Sequence, residues 1–89
     1  MPRLEFSERF ASDLSLIEST RLEEQIMTCL DSIELFGEFG SPDIPESIRT
    51  EFGEGIRKVA VNPFDLVYTH YPDRDLARIE ALVHQRTAW

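Results

Sequence analysis

The chain has one lysine, Lys58, and one cysteine, Cys29, among its 89 residues. A lone cysteine excludes an internal disulfide, and with only two histidines beside it the sequence offers no metal-ligating cluster and points to no cofactor. Cys29 stands among Ile26, Leu30 and Ile33, so it reads as a small buried hydrophobe before a reactive thiol. No apolar run approaches the ~18 residues that span a bilayer. The Met1–Glu5 start carries no apolar stretch of a secretory signal, and the expectation is a cytoplasmic protein without membrane contact.

Positive charge is scarce and unevenly placed. Seventeen acids against nine lysines and arginines give a net charge of −8. Residues 1–56 hold thirteen acids and four bases, a net of −9, while residues 57–89 hold four acids and five bases, a net of +1. The first part repels nucleic acid, so no direct DNA binding is expected; the second is near neutral with a local basic cluster.

What the sequence does have is a strongly patterned last third. Ile56–Val61, Asp65–Tyr71 and Leu76–His84 read as three strands, separated by Asn62-Pro63 and by Pro72-Asp73-Arg74-Asp75. Val59, Val61, Val67, Thr69, Ile79 and Val83 are β-branched, and Phe64, Tyr68 and Tyr71 are aromatic, which suits a pleated, half-buried surface. The prolines lack an amide donor and belong between strands. In the last strand, alternation puts Ala77, Ile79, Ala81 and Val83 on one face and Arg78 and Glu80 on the other. A three-stranded antiparallel meander follows.

Ahead of it, Arg3-Leu4-Glu5-Phe6 alternates like a short first strand, and Ser7 offers a hydroxyl to cap a helix. Phe10, Leu14 and Ile17 share one face of a helix over roughly residues 8–18. Thr20-Arg21-Leu22-Glu23 matches a capping box. From there Leu22, Ile26, Cys29 or Leu30, Ile33 and Phe36 trace a second stripe, stopped by Gly37. Residues 37–54 are irregular, with Ile44, Ile48 and Phe52 available to pin them and Ser47–Phe52 able to form one helical turn. Two helices with so short a joint fold back as a hairpin whose stripes need the sheet. The expectation is one α+β domain over residues 1–89, β-α-α-β-β-β, with one sheet packed against two helices; a chain of this size buries roughly 60–65% of its unfolded surface.

That order, with three motifs, resembles the RelE/ParE toxin superfamily of bacterial type II toxin–antitoxin systems. Gly55-Ile56-Arg57-Lys58-Val59 is similar to the family's Gly-x-Arg-(Arg/Lys)-apolar strand. Leu66-Val67-Tyr68 is similar to its apolar-apolar-Tyr strand, and Leu82-Val83-His84-Gln85-Arg86 to its ending of an apolar pair, His, a spacer and Arg. The N-terminal Leu4-Glu5-Phe6-Ser7 and the helix after it also fit, so the resemblance spans nearly the whole chain and is weakest over residues 37–54. It implies a growth-inhibiting toxin, associated with plasmid stabilisation and neutralised by a cognate antitoxin. One branch of the superfamily cleaves mRNA on the ribosome; the other inhibits DNA gyrase without being a nuclease.

Ribosome-dependent cleavage needs cations for the phosphate and a group that moves protons. The candidates are Arg57 and Arg86 as cations and His84 as acid or base, a side chain whose ordinary pKa lies near neutrality. Each also has a plainer reading: Arg57 as a structural guanidinium, His84 as a cap on the sheet, Arg86 as a partner contact. Lys58 and Trp89 join Arg86 as candidate partner-binding residues, Trp89 being able to dock on the domain or on a partner. His70 reads as half-exposed and structural, and Tyr68 and Tyr71 as sheet packing.

Two departures weigh against cleavage. The nuclease branch usually surrounds its site with several lysines and arginines, and where an Arg commonly begins the apolar-apolar-Tyr strand this chain has Asp65, a carboxylate that repels phosphate. The net charge also removes the nonspecific attraction to RNA. The reading favoured is therefore a ParE-like toxin that acts by binding, with a RelE-like mRNA endoribonuclease or a non-toxic interaction module of the same fold as alternatives.

Overall fold

Four strands form one mixed sheet in the order β1-β4-β3-β2: β1 Arg3–Phe6, β2 Ile56–Val61, β3 Phe64–Tyr71 and β4 Leu76–His84. The computed structural model describes residues 1–88, so Trp89 lies outside the described residues. β2, β3 and β4 are the expected antiparallel meander, and β1 adds to β4 in parallel, Arg3 beside Leu76 through Phe6 beside Ile79. Helices α1 Glu8–Ser15 and α2 Thr20–Leu35 cover one face. The α+β architecture and its element order are as the sequence indicates.

Local chemistry starts both helices. Ser7 caps α1, its Oγ accepting the amide of Phe10 at 3.0 Å. An eight-residue helix is marginal in isolation, and α1 is held by burial of Phe10 and by its contacts with β4. It ends at Ser15, short of the expected 18, and Ile17 packs on the core from the connecting segment. The cap of α2 is Ser19, one residue before the expected Thr20; its Oγ accepts the amide of Leu22 at 3.2 Å. Ile26, Leu30 and Ile33 carry the buried stripe, but Phe36 does not extend it. The chain turns extended at that C-cap and leaves Phe36 66% exposed.

The other face of the sheet is covered as well. Residues Glu46–Phe52 form α3, and Ile44 and Ile48 pack with Ile56 and Val67, flanked by Phe52 and Val83. A β-bulge makes this second layer. The register runs Val67 beside Ala81 and then Tyr68 beside Ile79, leaving Glu80 without a partner on β3. Past the bulge the faces exchange: Leu82 joins Ala77 and Ile79 under the helices, while Ala81, paired with Val67, and Val83 turn toward α3. The strict alternation expected along β4 is thus corrected at Glu80.

The loops follow turn chemistry. Asn62-Pro63 joins β2 to β3 through a cis peptide bond. Pro72–Arg74 forms a single 3₁₀ turn, closed by Asp75 in the left-handed region at φ 48°. Beyond β4, Gln85–Ala88 form a short helix, α4.

Candidate functional site

The sequence candidates fall at two places on the sheet. Arg57 pairs with Tyr68 in the β2–β3 ladder, whereas His84 pairs with Phe64 in the β3–β4 ladder. Phe64 and Tyr68 are four steps apart on β3, about 14 Å at ordinary strand rise. Arg57 and His84 therefore do not meet, while Arg86 follows His84 in α4, just beyond the end of β4.

Arg57 belongs to a clamp. Its Nη1 donates to the carbonyl oxygen of Gly40 at 2.6 Å and to that of Glu38 at 3.3 Å. Beside it, the fully buried Tyr68 hydroxyl donates to the carbonyl oxygen of Gly37 at 2.8 Å and accepts the amide of Gly40 at 2.7 Å. Burial pushes the Tyr68 phenol up from its ordinary value, while the Gly40 amide and the Arg57 charge partly offset this. The loop fits only because it lacks a side chain at two points: a Cβ on Gly37 would overlap the ring of His70, and one on Gly40 would meet Tyr68 and the Lys58 carbonyl. Ser41 and Lys58 then exchange backbone hydrogen bonds at 2.8 and 3.0 Å, which occupies the outer edge of β2 at that point.

At the other end of the sheet, the Asp65 carboxylate is fully buried. Lys58 Nζ stands 3.9 Å from its Oδ1, and Gln85 Nε2 donates to that oxygen at 3.2 Å. A buried carboxylate requires such partners. The lysine is correspondingly withdrawn, with its side chain 16% exposed.

His84 is half-buried, with its ring edge-on to Phe64 at 5.4 Å between centroids. Its Nδ1 accepts the backbone amide of Arg86 at 3.1 Å, which leaves the ring hydrogen of the neutral imidazole on Nε2. Arg86 is exposed in α4, and Gln85 ties that helix back through its amide to the Pro63 carbonyl at 2.9 Å. Chemically, this corner offers a proton-carrying imidazole beside a solvated guanidinium. Ala81, Val83 and Val67, on the opposite face, contribute no polar group.

Sequence reasoning missed Gln85 as the neutral partner of Asp65 and Tyr68 as the anchor of the 37–40 loop. Tyr68 was legible as a core residue, but its acceptor is 31 positions away. Between Arg21 and Arg49 the chain has seven acids (Glu23, Glu24, Asp31, Glu34, Glu38, Asp43 and Glu46) and neither lysine nor arginine. An open groove of about 970 Å³ runs between α2 and the end of β2, past Arg21, Gln25, Cys29, Ala60 and Asn62. Burial pushes the Cys29 thiol up. Among the described residues no cluster of histidine, cysteine or carboxylate groups has a metal-binding arrangement, and no helix is long and apolar enough to cross a membrane.

The same arrangement of strands and helices occurs in solved structures. A chain of the intact Escherichia coli RelBE toxin–antitoxin complex superposes with a TM-score of 0.71 at 14% identity, covering 94% of this chain and 96% of that one. A chain of the E. coli DinJ–YafQ complex superposes with a TM-score of 0.64 at 19% identity, over 100% and 99%. The fold is RelE-like. No family model and no curated protein matches the chain by sequence. The RelE-like fold therefore spans nearly the whole domain, although the two chains share fewer than one residue in five with this one.

Proposed function

We propose that this chain is the toxin of a bacterial type II toxin–antitoxin system, neutralised by a cognate antitoxin and acting by binding its target, with DNA gyrase as the target class. The observation that carries the toxin reading is the RelE-like fold over at least 94% of the chain. Binding is favoured over cleavage by the state of the cations. Arg57 holds loop carbonyls and Lys58 faces the buried Asp65.

The test is induced expression in growing cells, with new mRNA 5′ ends mapped during the first minutes. The expected outcome is growth arrest with DNA-damage signalling and no cuts within translated codons. Full growth at verified soluble expression would instead indicate a non-toxic interaction module.

A second reading rests on the corner of β4. His84 and Arg86 place an imidazole and a solvated cation at one end of the sheet, the minimum that a ribosome-dependent mRNA endoribonuclease of RelE type would use. In-frame cuts in translated messages would select this reading over the first.

A further inference from the structure

The 36–40 loop is fixed more firmly than its position requires, and it holds apolar side chains in water. Leu35 is 54% exposed, Phe36 66% and Phe39 47%. Yet the backbone beneath them is bound at Gly37, Glu38 and Gly40 by Tyr68 and Arg57, and Phe39 N donates to the Phe36 carbonyl at 2.8 Å. Met27, 53% exposed, lies two turns back on the same flank of α2 as Leu35. Three exposed apolar side chains within five residues on an ordered backbone suit an interaction site, because the ordering cost has been met before a partner arrives.

We propose that Leu35, Phe36 and Phe39 form a docking platform for a basic segment of another protein, one that inserts apolar anchors between the phenylalanines and sets lysines or arginines against the acidic rim. Charge selects this occupant. Asp31, Glu34 and Glu38 neighbour the platform in sequence, three acids against the one guanidinium of Arg57 that holds the loop's carbonyls. A second copy of the chain would oppose acid to acid across the interface, and an anionic membrane surface would be repelled. The proposal stands apart from the toxin reading, since the platform is defined without reference to a target.

The test uses the full chain, isotopically labelled, and two synthetic amphipathic helical peptides with the same leucine anchors, one carrying lysines and the other glutamates. The lysine peptide is expected to shift the amide resonances of Gly37, Phe39, Gly40 and Met27, with affinity falling as salt is added. The glutamate peptide should bind roughly tenfold or more weakly, and F36S/F39S should lose roughly tenfold or more in affinity for the lysine peptide. Both side chains are water-facing, so the variant is expected to keep its circular dichroism; if it does not, F36S and F39S are measured singly. The proposal is overturned by unchanged affinity in these variants, by shifts centred on another surface, by equal binding of the glutamate peptide, or by no binding up to millimolar peptide. Self-association that the substitutions abolish would assign the surface to a second copy and overturn it too.

Discussion

The hydroxyl of Ser7 donates to the carbonyl oxygen of Glu80 at 2.6 Å, while Ser7 Oγ itself accepts the amide of Phe10 at 3.0 Å. One side chain thus starts α1 and satisfies the residue that the bulge leaves without a partner on β3. Asp13, one helical stretch later, accepts the amide of Leu82 at 3.0 Å on the far side of the same bulge. The helix and the irregularity in β4 support each other.

Replacing Ser7 with alanine should therefore cost more than an ordinary cap. It removes the acceptor for Phe10 and leaves the Glu80 carbonyl facing a methyl group, together about 2 kcal/mol. Urea unfolding of S7A checks this. The midpoint should fall with an unchanged slope, and a loss of only a few tenths of a kcal/mol would show that water replaces the hydroxyl.

Tyr68→Phe removes the donor to Gly37 and the acceptor for Gly40, for an expected loss of about 1–3 kcal/mol. It should also change the alkaline limb of the stability profile. The phenol's folded pKa is raised, chiefly by burial, so its contribution is complete below the ordinary tyrosine value of about 10 and is lost as pH rises through the higher folded value. Chemical unfolding of wild type and Y68F between pH 9 and about 11.5 isolates this group from others that titrate there. A wild-type profile parallel to that of Y68F would contradict the assignment.

The Lys58–Asp65 pair predicts non-additivity. Asp65→Leu alone takes a carboxylate away from a mostly buried lysine and should cost about 3 kcal/mol, while D65L/K58M should recover a large part of that loss. A double variant as unstable as D65L would mean that Asp65 acts mainly through Gln85.

The functional candidates separate by position. If the protein cleaves mRNA, H84A and R86A should each abolish in-frame cuts and relieve toxicity with the thermal midpoint little changed. R57A should act differently, lowering the midpoint by freeing the 38–40 carbonyls. If toxicity survives H84A and R86A undiminished, the nuclease reading falls and the binding reading stands.

Much of this architecture is written locally. Ile56–Val61 and Leu76–His84 have the expected bounds because β-branched runs end at proline and aspartate turns, and Ser7 is a cap wherever it precedes a helical face. Non-local features were less legible. Period-two alternation cannot show the extra residue at Glu80, so Ala81 and Val83 read as facing the wrong layer. With that layer hidden, α3 had no evident surface to pack on, and its seven residues looked like a turn among acids. Of the site residues, His84 and Arg86 were brought together by adjacency in the chain, whereas the true neighbours of Arg57 depend on where the loop after α2 returns.

The parallel pairing of β1 with β4 joins residues 73 positions apart, Arg3 with Leu76. During synthesis the first strand emerges early and has no ladder partner until nearly all of the domain has been translated. Until then β1 and the apolar face of α1 stay available to a chaperone or a protease. Completion of the sheet is consequently a late event, and the interval before it is one in which a nascent chain can be captured or destroyed before it has acquired any activity.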